Sequence, residues 1–241
     1  MTTSAATTLV AGRPLRYTVR RSGRARRPGI EVSRRTGVVV VLPRRAAAAL
    51  VPELLRHWAG WMARKADEFG VWDGPYRRQY ATGSEILVLG RPRRLVLTAL
   101  PAGRSRTRTE LRDNALELAV PPAVILDPRP ALEKVLRDLA GHELRRRAEV
   151  WTAAVGRTPR RVIVGERTSR WGSCSRGGIL SFCYRLVMAL PAVIDAVAAH
   201  EACHLVHLNH GRRFYRLLDR IYPDHERQMD WLRRHEDDLL L

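Results

Sequence analysis

An α+β fold is predicted: a β-rich amino-terminal subdomain followed by a carboxy-terminal core of helices around a short sheet. Up to about residue 122, apolar residues come in short alternating runs bounded by turn residues, with one helical stretch among them. Beyond the "PP" at 121–122 and the "DPRP" at 127–130, apolar residues recur mainly at helical spacing. A chain of 241 residues, 45% hydrophobic, is long enough for a sizeable core in one or two domains.

In order along the chain, residues 1–12 are small and polar and predict a flexible tail. The amino-terminal subdomain then covers 13–122. Leu15, Tyr17 and Val19 alternate in a first strand, Ile30 and Val32 mark a second, and "RRTG" at 34–37 turns into "VVVVLP". A helix follows, with Pro52 near its start and Leu54, Leu55, Trp58, Trp61 and Met62 on one face as a core stripe. Residues 70–82 form a turn-rich connector. The strands "EILVLG", "RLVLTAL" and "TRTELRDNALELAV" come next, the last with a hairpin tip at Asp113-Asn114. No internal repeat is evident.

The carboxy-terminal subdomain, 123–241, opens with a long helix to about Val155, stopped by Gly156. Strands at 161–166 and "ILSF" flank "RTSRWGSCSRGG". Pro191 opens an apolar helix, and two helical segments near 211–221 and 224–238 finish the chain. His142-Glu143 in the long helix is no second metal motif, because position 146 is arginine.

Composition narrows the function classes. No apolar run approaches the ~20 residues of a membrane span, and the basic residues near the start follow the weak apolar patch, unlike a secretory signal. A cytoplasmic protein is expected. Cys174, Cys183 and Cys203 form no CxxC pair, which argues against a disulfide framework and leaves one of them only as an outside zinc ligand. The formal charge is +19. Residues 1–50 carry eleven arginines against the single acid Glu31, while residues 201–241 carry seven arginines against eight acids. A polyanion or nucleic-acid contact through the Arg-rich residues 13–45 is therefore an expectation, weighed against plain arginine bias.

The chemistry concentrates in "AAHEACHLVHLNHGRRFY", Ala198 to Tyr215. His200-Glu201-Ala202-Cys203-His204 is HExxH. Residues four apart share a helix face, so two imidazoles reach one ion at ~2.0–2.1 Å and Glu201 stands on the flank as general base. His210 is the leading third ligand, ten residues after His200. A straight helix would carry it ~15 Å along the axis, so the chain must turn first, with Asn209 and Gly211 suited to the turn. His207, a second-layer or packing residue, and Glu226 are the alternatives.

"TSRWGSCSRGGILSF" followed by "YRLVMALPAVIDAVAAHEACHLVHLNHGRRF" closely resembles the YgjP-like metallopeptidase family, relatives of the SprT and WLM zincins. The likeness is dense from about 166 to 215 and weaker over the basic strands and the tryptophan-bearing helix. It implies a zincin-like metallopeptidase core, one zinc ion held by His200, His204 and His210, Glu201 as base, and "RWGSCS" lying against the active-site helix. The family usually has Asn-Trp at Cys183-Tyr184, Leu at Ala202 and a second proline at Leu190.

The expected reaction is hydrolysis of a peptide bond in a protein or peptide substrate, by a metal-bound water that Glu201 activates. Arg170, Tyr184, Arg185 and Tyr215 are candidates to stabilise the developing negative charge. Trp171 is a packing anchor, and Ser173 and Cys174 are candidate groove residues. A metal-dependent nucleotide pyrophosphohydrolase is the alternative, though no Gly-rich phosphate loop is present. A nucleic-acid-associated protein with a structural metal site is the third reading, though the four closed ligands it needs are not evident.

Overall fold

The computed structural model describes residues 3–167 and 170–241. Thr168 and Ser169, within the "RTSRWGSCS" stretch, lie outside the described residues. The chain divides into two compact units, residues 1–77 and 78–241.

In the first unit, β1 (Thr3–Val10), β2 (Arg13–Ser22), β3 (Gly29–Ser33) and β4 (Gly37–Pro43) form a sheet in the order β1-β2-β4-β3. Residues 3–10, expected as a flexible tail, are thus an antiparallel edge strand in register with β2, Val10 opposite Arg13. The overlooked signal is the two-residue turn Ala11-Gly12, both with positive φ (50° and 76°), the geometry that closes a tight hairpin. β4 is parallel to β2 and buried along almost its whole length, which is why it reads as an unbroken valine run.

The helix expected after β4 is divided into α1 (Leu50–His57) and α2 (Ala59–Phe69). Trp58 sits at the junction and is 43% exposed, touching Trp61 edge-on, so it is not part of a core stripe. The rest of the stripe faces the core: Leu55 and Met62 are buried with Leu15, Val38, Val40 and Leu42, and Leu54 and Trp61 pack against them. Val71 and Trp72, in the supposed connector, close this core, and the Trp72 carbonyl accepts the Arg16 N–H at 2.7 Å. Of the arginines in 13–45, Arg20 pairs with Glu31 and Arg13 lies over Trp72. Arg24, Arg26, Arg27, Arg44 and Arg45 are exposed.

The second unit begins with β5 (Glu85–Val88), β6 (Arg91–Ala99), β7 (Arg108–Leu111) and β8 (Ala115–Val120), in the order β5-β6-β8-β7. This sheet repeats the first. Both are an antiparallel hairpin whose second strand runs parallel to the fourth, with the third antiparallel beside it. Tyr17 faces Val38, and Leu95 faces Leu116, each position advanced by 78. The hairpins read "LVAGRPLR" (9–16) and "LVLGRPRR" (87–94), and Leu89-Gly90 repeats the two positive φ values at 51° and 71°. An internal repeat is therefore present. Outside the hairpin only the alternation survives, which any strand shows, and that is why it escapes a reading by identity.

The remaining elements are α3 (Pro122–Ile125), α4 (Arg129–Ala154), β9 (Arg161–Gly165), β10 (Gly172–Cys174), β11 (Ile179–Cys183), a 3-10 turn (Tyr184–Met188), α5 (Pro191–Cys203), α6 (Arg212–Ile221) and α7 (His225–Arg234). The third sheet runs β10-β11-β9, with β10 antiparallel and β9 parallel to β11. Leu95, Leu116 and Leu118 of the second sheet share one core with Leu136 of α4 and Val193 and Val197 of α5. The division expected at 122 therefore falls near 77, because the second sheet buries its apolar face against the helices that follow it.

Candidate metal centre

α5 is buried nearly all round, with Val193, Ile194, Ala196, Val197, Ala198 and Ala199 all inside. A central helix of this kind carries no solvated face, so its polar groups must find partners. Asp195 accepts from the buried guanidinium of Arg147 and from Trp151 Nε1 at 2.8 Å. Arg147 also donates to the Pro191 carbonyl at 2.9 Å and to Glu143 at 2.7 Å. Tyr222 donates to the Ala192 carbonyl at 2.8 Å. These bonds tie the first turns of α5 to α4 and to the end of α6. An acid inside an apolar helix was the sequence signal for them.

The last turn of α5 holds His200 and Glu201, and His204 caps its end. The chain leaves the helix there, through turns at 204–206, and not at Asn209. Gly211 has extended backbone (φ −89°, ψ 179°), so the exit uses no left-handed residue. The loop brings His210 back: its Nε2 lies 3.0 Å from His200 Nε2 and 3.1 Å from His204 Nε2. The three donor nitrogens all fall within 4.8 Å of one another. Tetrahedral ligation with bonds of ~2.0–2.1 Å sets donors about 3.3 Å apart, so the spacing fits one small divalent ion.

Two further details suit an ion. His204 Nδ1 donates to the His207 carbonyl at 3.0 Å, which leaves the Nε2 lone pair free on the inward side. Burial and the neighbouring imidazoles push His200 down to about 4, and burial also lowers His204, so both rings are neutral near pH 7. His207 thus contributes through its backbone. Glu226 is exposed on α7 and, like the cysteines, stands outside the converging donors. Beneath the triad, the fully buried ring of Phe214 lies 4.6–4.9 Å from all three imidazoles, centroid to centroid.

Glu201 is 6% exposed, and its Oε2 has no hydrogen-bond partner among the described residues. Burial raises its pKa to about 8 against the opposing charge of Arg170. Its seat is Gly172: a Cβ there would stand 2.7 Å from both Glu201 Cγ and Oε1. The glycine of "RWGSCS" is therefore a close-approach residue, and β10 lies directly on the metal helix. Neither β10 nor this role of Gly172 follows from the sequence pattern, since a three-residue strand has no readable period.

The expected cleft residues separate. Arg170 is exposed and close enough to influence Glu201, and Cys174, pushed up to about 11 by burial and by Glu201, is half-buried beside it. Ser173 is also half-buried on β10. Trp171 packs on the main core. Tyr215 is 44% exposed, its ring 6.2 Å from that of His210. Tyr184 and Arg185 are not cleft residues. Tyr184 is buried in the core under the Arg137 guanidinium, 4.1 Å from its ring, and Arg185 is committed to Glu166 at 2.9 Å and the Arg167 carbonyl at 3.0 Å.

Three imidazoles converging from a helix end and a loop, with a buried glutamate beside the first, form the donor arrangement of HExxH metal-dependent hydrolases. The chain belongs to the YgjP-like metallopeptidase domain family, which it matches over residues 26–235. That membership supports a metal-dependent peptidase or hydrolase using a divalent ion. No curated protein and no solved structure matches the chain. Among the described residues, no helix is long and apolar enough to cross a membrane.

Proposed function

We propose that the chain is a zinc peptidase in which His200, His204 and His210 hold a single ion and Glu201 is the general base. The observation that carries this reading is the pairing of three converging Nε2 donors with the unpartnered Oε2 of a carboxylate whose other oxygen is seated against Gly172. When bound, zinc supplies a Lewis acid that acidifies water toward neutrality, polarises a carbonyl and favours the ionised form of Glu201.

Glu201 Oε2, with no competing donor, takes a proton from the attacking water and returns it to the leaving amine. Gly172 backs the buried Glu201 side chain at close range, and its missing Cβ leaves the space that Cγ and Oε1 occupy. Arg170 and Tyr215 are exposed donors near the site that could face the developing oxyanion. β10 favours a peptide over a phosphoanhydride: among the described residues it is an edge strand paired with β11, an edge whose backbone groups an extended peptide can match.

The test compares the zinc-loaded wild type with Glu201→Gln, against an unfolded protein and a nucleoside triphosphate panel. The expected outcome is equal zinc content with protein hydrolysis down at least about 100-fold in the variant. Equal turnover in both proteins would remove Glu201 as base. Turnover of triphosphates alone would move the chain to phosphoanhydride hydrolysis.

A further inference from the structure

A surface cavity of about 360 Å³ flanks α6 on the side away from Tyr215, and its lining carries one sign of charge. Arg213, Arg216 and Arg220 line it together with His207, over an apolar wall that includes Val155 and Leu217, and no carboxylate contributes. None of the three arginines forms an ion pair among the described residues, although the second unit pairs many of its others, Arg137, Arg146 and Arg147 among them. The nearest acid on the same helix, Asp219, is taken by His225 at 2.8 Å. Three exposed guanidiniums in one recess, with no carboxylate lining it, set up a local positive potential that favours an anion.

We propose that this cavity is a binding site for linked phosphates, supplied by a nucleic-acid strand or by free polyphosphate. Positions 213, 216 and 220 follow the i, i+3, i+7 stripe of a helix and span about 10 Å along its axis. A row of that length matches consecutive phosphates better than one isolated anion. Guanidinium forks engage phosphate oxygens bidentately, which a single carboxylate chain supports less densely.

The site also touches the metal loop. His207, one of the residues lining the cavity, lies midway in sequence between His204 and His210 and accepts from His204 Nδ1 through its carbonyl. Leu217 and Val155 continue into the small core that holds Phe214 beneath the triad. A phosphate chain bound there lies against the segment that sets the distance between the second and third histidines. The inference does not rest on the hydrolytic reading, since Glu201→Gln leaves the cavity intact.

The test uses the zinc-loaded full chain and the anisotropy of a fluorescein-labelled twelve-nucleotide oligothymidylate over a salt series. Arg213, Arg216 and Arg220 are exposed, so the triple alanine variant keeps its fold, checked by zinc content and thermal midpoint. Expected is a loss of about tenfold or more in affinity at 0.1 M salt, and a log–log salt slope shallower by about 2, near 0.7 per phosphate contact. Other arginines contribute equally to both proteins, so the difference isolates this cavity. If the oligonucleotide does not bind but tripolyphosphate does, in a way the triple variant abolishes, free polyphosphate is the ligand. Unchanged affinity and slope in the variant, or displacement by polyglutamate as effective as tripolyphosphate at equal charge, would overturn the proposal.

Discussion

The two four-stranded sheets share strand order and direction, and register across their first, second and fourth strands, yet they serve different ends. In the second, the hairpin tip is a structural contact: the Leu89 and Gly90 N–H groups donate to the carbonyls of Val187 and Met188 at 2.8 and 3.1 Å, just ahead of the metal helix. In the first, the equivalent tip at Ala11-Gly12 is exposed, and a Cβ on Gly12 would meet nothing within 4 Å. Leu118 packs into the core of α5, whereas its counterpart Val40 belongs to the core of the first unit. The same ββ-ββ frame thus acts as a self-contained fold in one place and as a support for chemistry in the other. What surrounds a motif, and not the motif, decides its role.

The largest effect should come from cutting the two cores at equivalent points. Leu118→Ala is expected to cost about 2–5 kcal/mol and to weaken zinc retention. Val40→Ala should cost about 1.5–3 kcal/mol with zinc affinity unchanged. Chemical denaturation followed alongside a zinc chelation assay reads both quantities, and equal zinc loss in the two variants would break the comparison.

The hairpin tips give a sharper and smaller contrast. Both glycines have positive φ, so alanine at either brings about 1 kcal/mol of strain. At Gly90 a Cβ also falls 2.5 Å from Leu190 Cδ2 and 2.8 Å from its Cα, adding about 1–3 kcal/mol of overpacking. Gly90→Ala should therefore lower the thermal midpoint clearly more than Gly12→Ala, and matched midpoints would show that the second tip does not bear on α5.

Charge distinguishes the units least, and in acid. The hydrogen bond from Arg146, with Arg147 beside it, holds the Glu143 carboxyl below the usual glutamate range despite its burial. Because the folded-state value is depressed, this contribution is complete above the ordinary glutamate pKa and fades as pH falls through the lower one. Glu143→Gln should cost about 1–2 kcal/mol at pH 7, with the gap to wild type closing in that acid window. Glu31→Gln, which breaks only the exposed pair with Arg20, should change stability by less than about 1 kcal/mol at any pH. Urea titrations at several pH values compare the two.

Much of the fold is legible in the sequence where the signal is local. The long helix ending at Gly156, the Pro191 start of α5, the hairpin at 112–114 and the unbroken valine strand all rest on short-range pattern and turn chemistry. β1 was hidden because threonine, serine and alanine look like a tail until a neighbouring strand pairs with them. The helix break at Trp58 and the boundary near 77 were hidden because both depend on which core each segment joins. At the site, HExxH could be read directly, while Tyr184 and Arg185 looked available only because their partners Arg137 and Glu166 lie far away in sequence.

The sequence by itself determined the two imidazoles one helical turn apart and the glutamate beside the first, since α-helical geometry dictates who shares a face. Only the tertiary structure decided that the chain leaves the helix at His204, that His210 returns to within about 3 Å of both partners, and that Gly172 clears a seat for Glu201. The physical reason is range. Helical spacing is set by bonds within a few residues, whereas convergence, burial and the loss of false candidates are set by packing among segments that meet only in the folded chain.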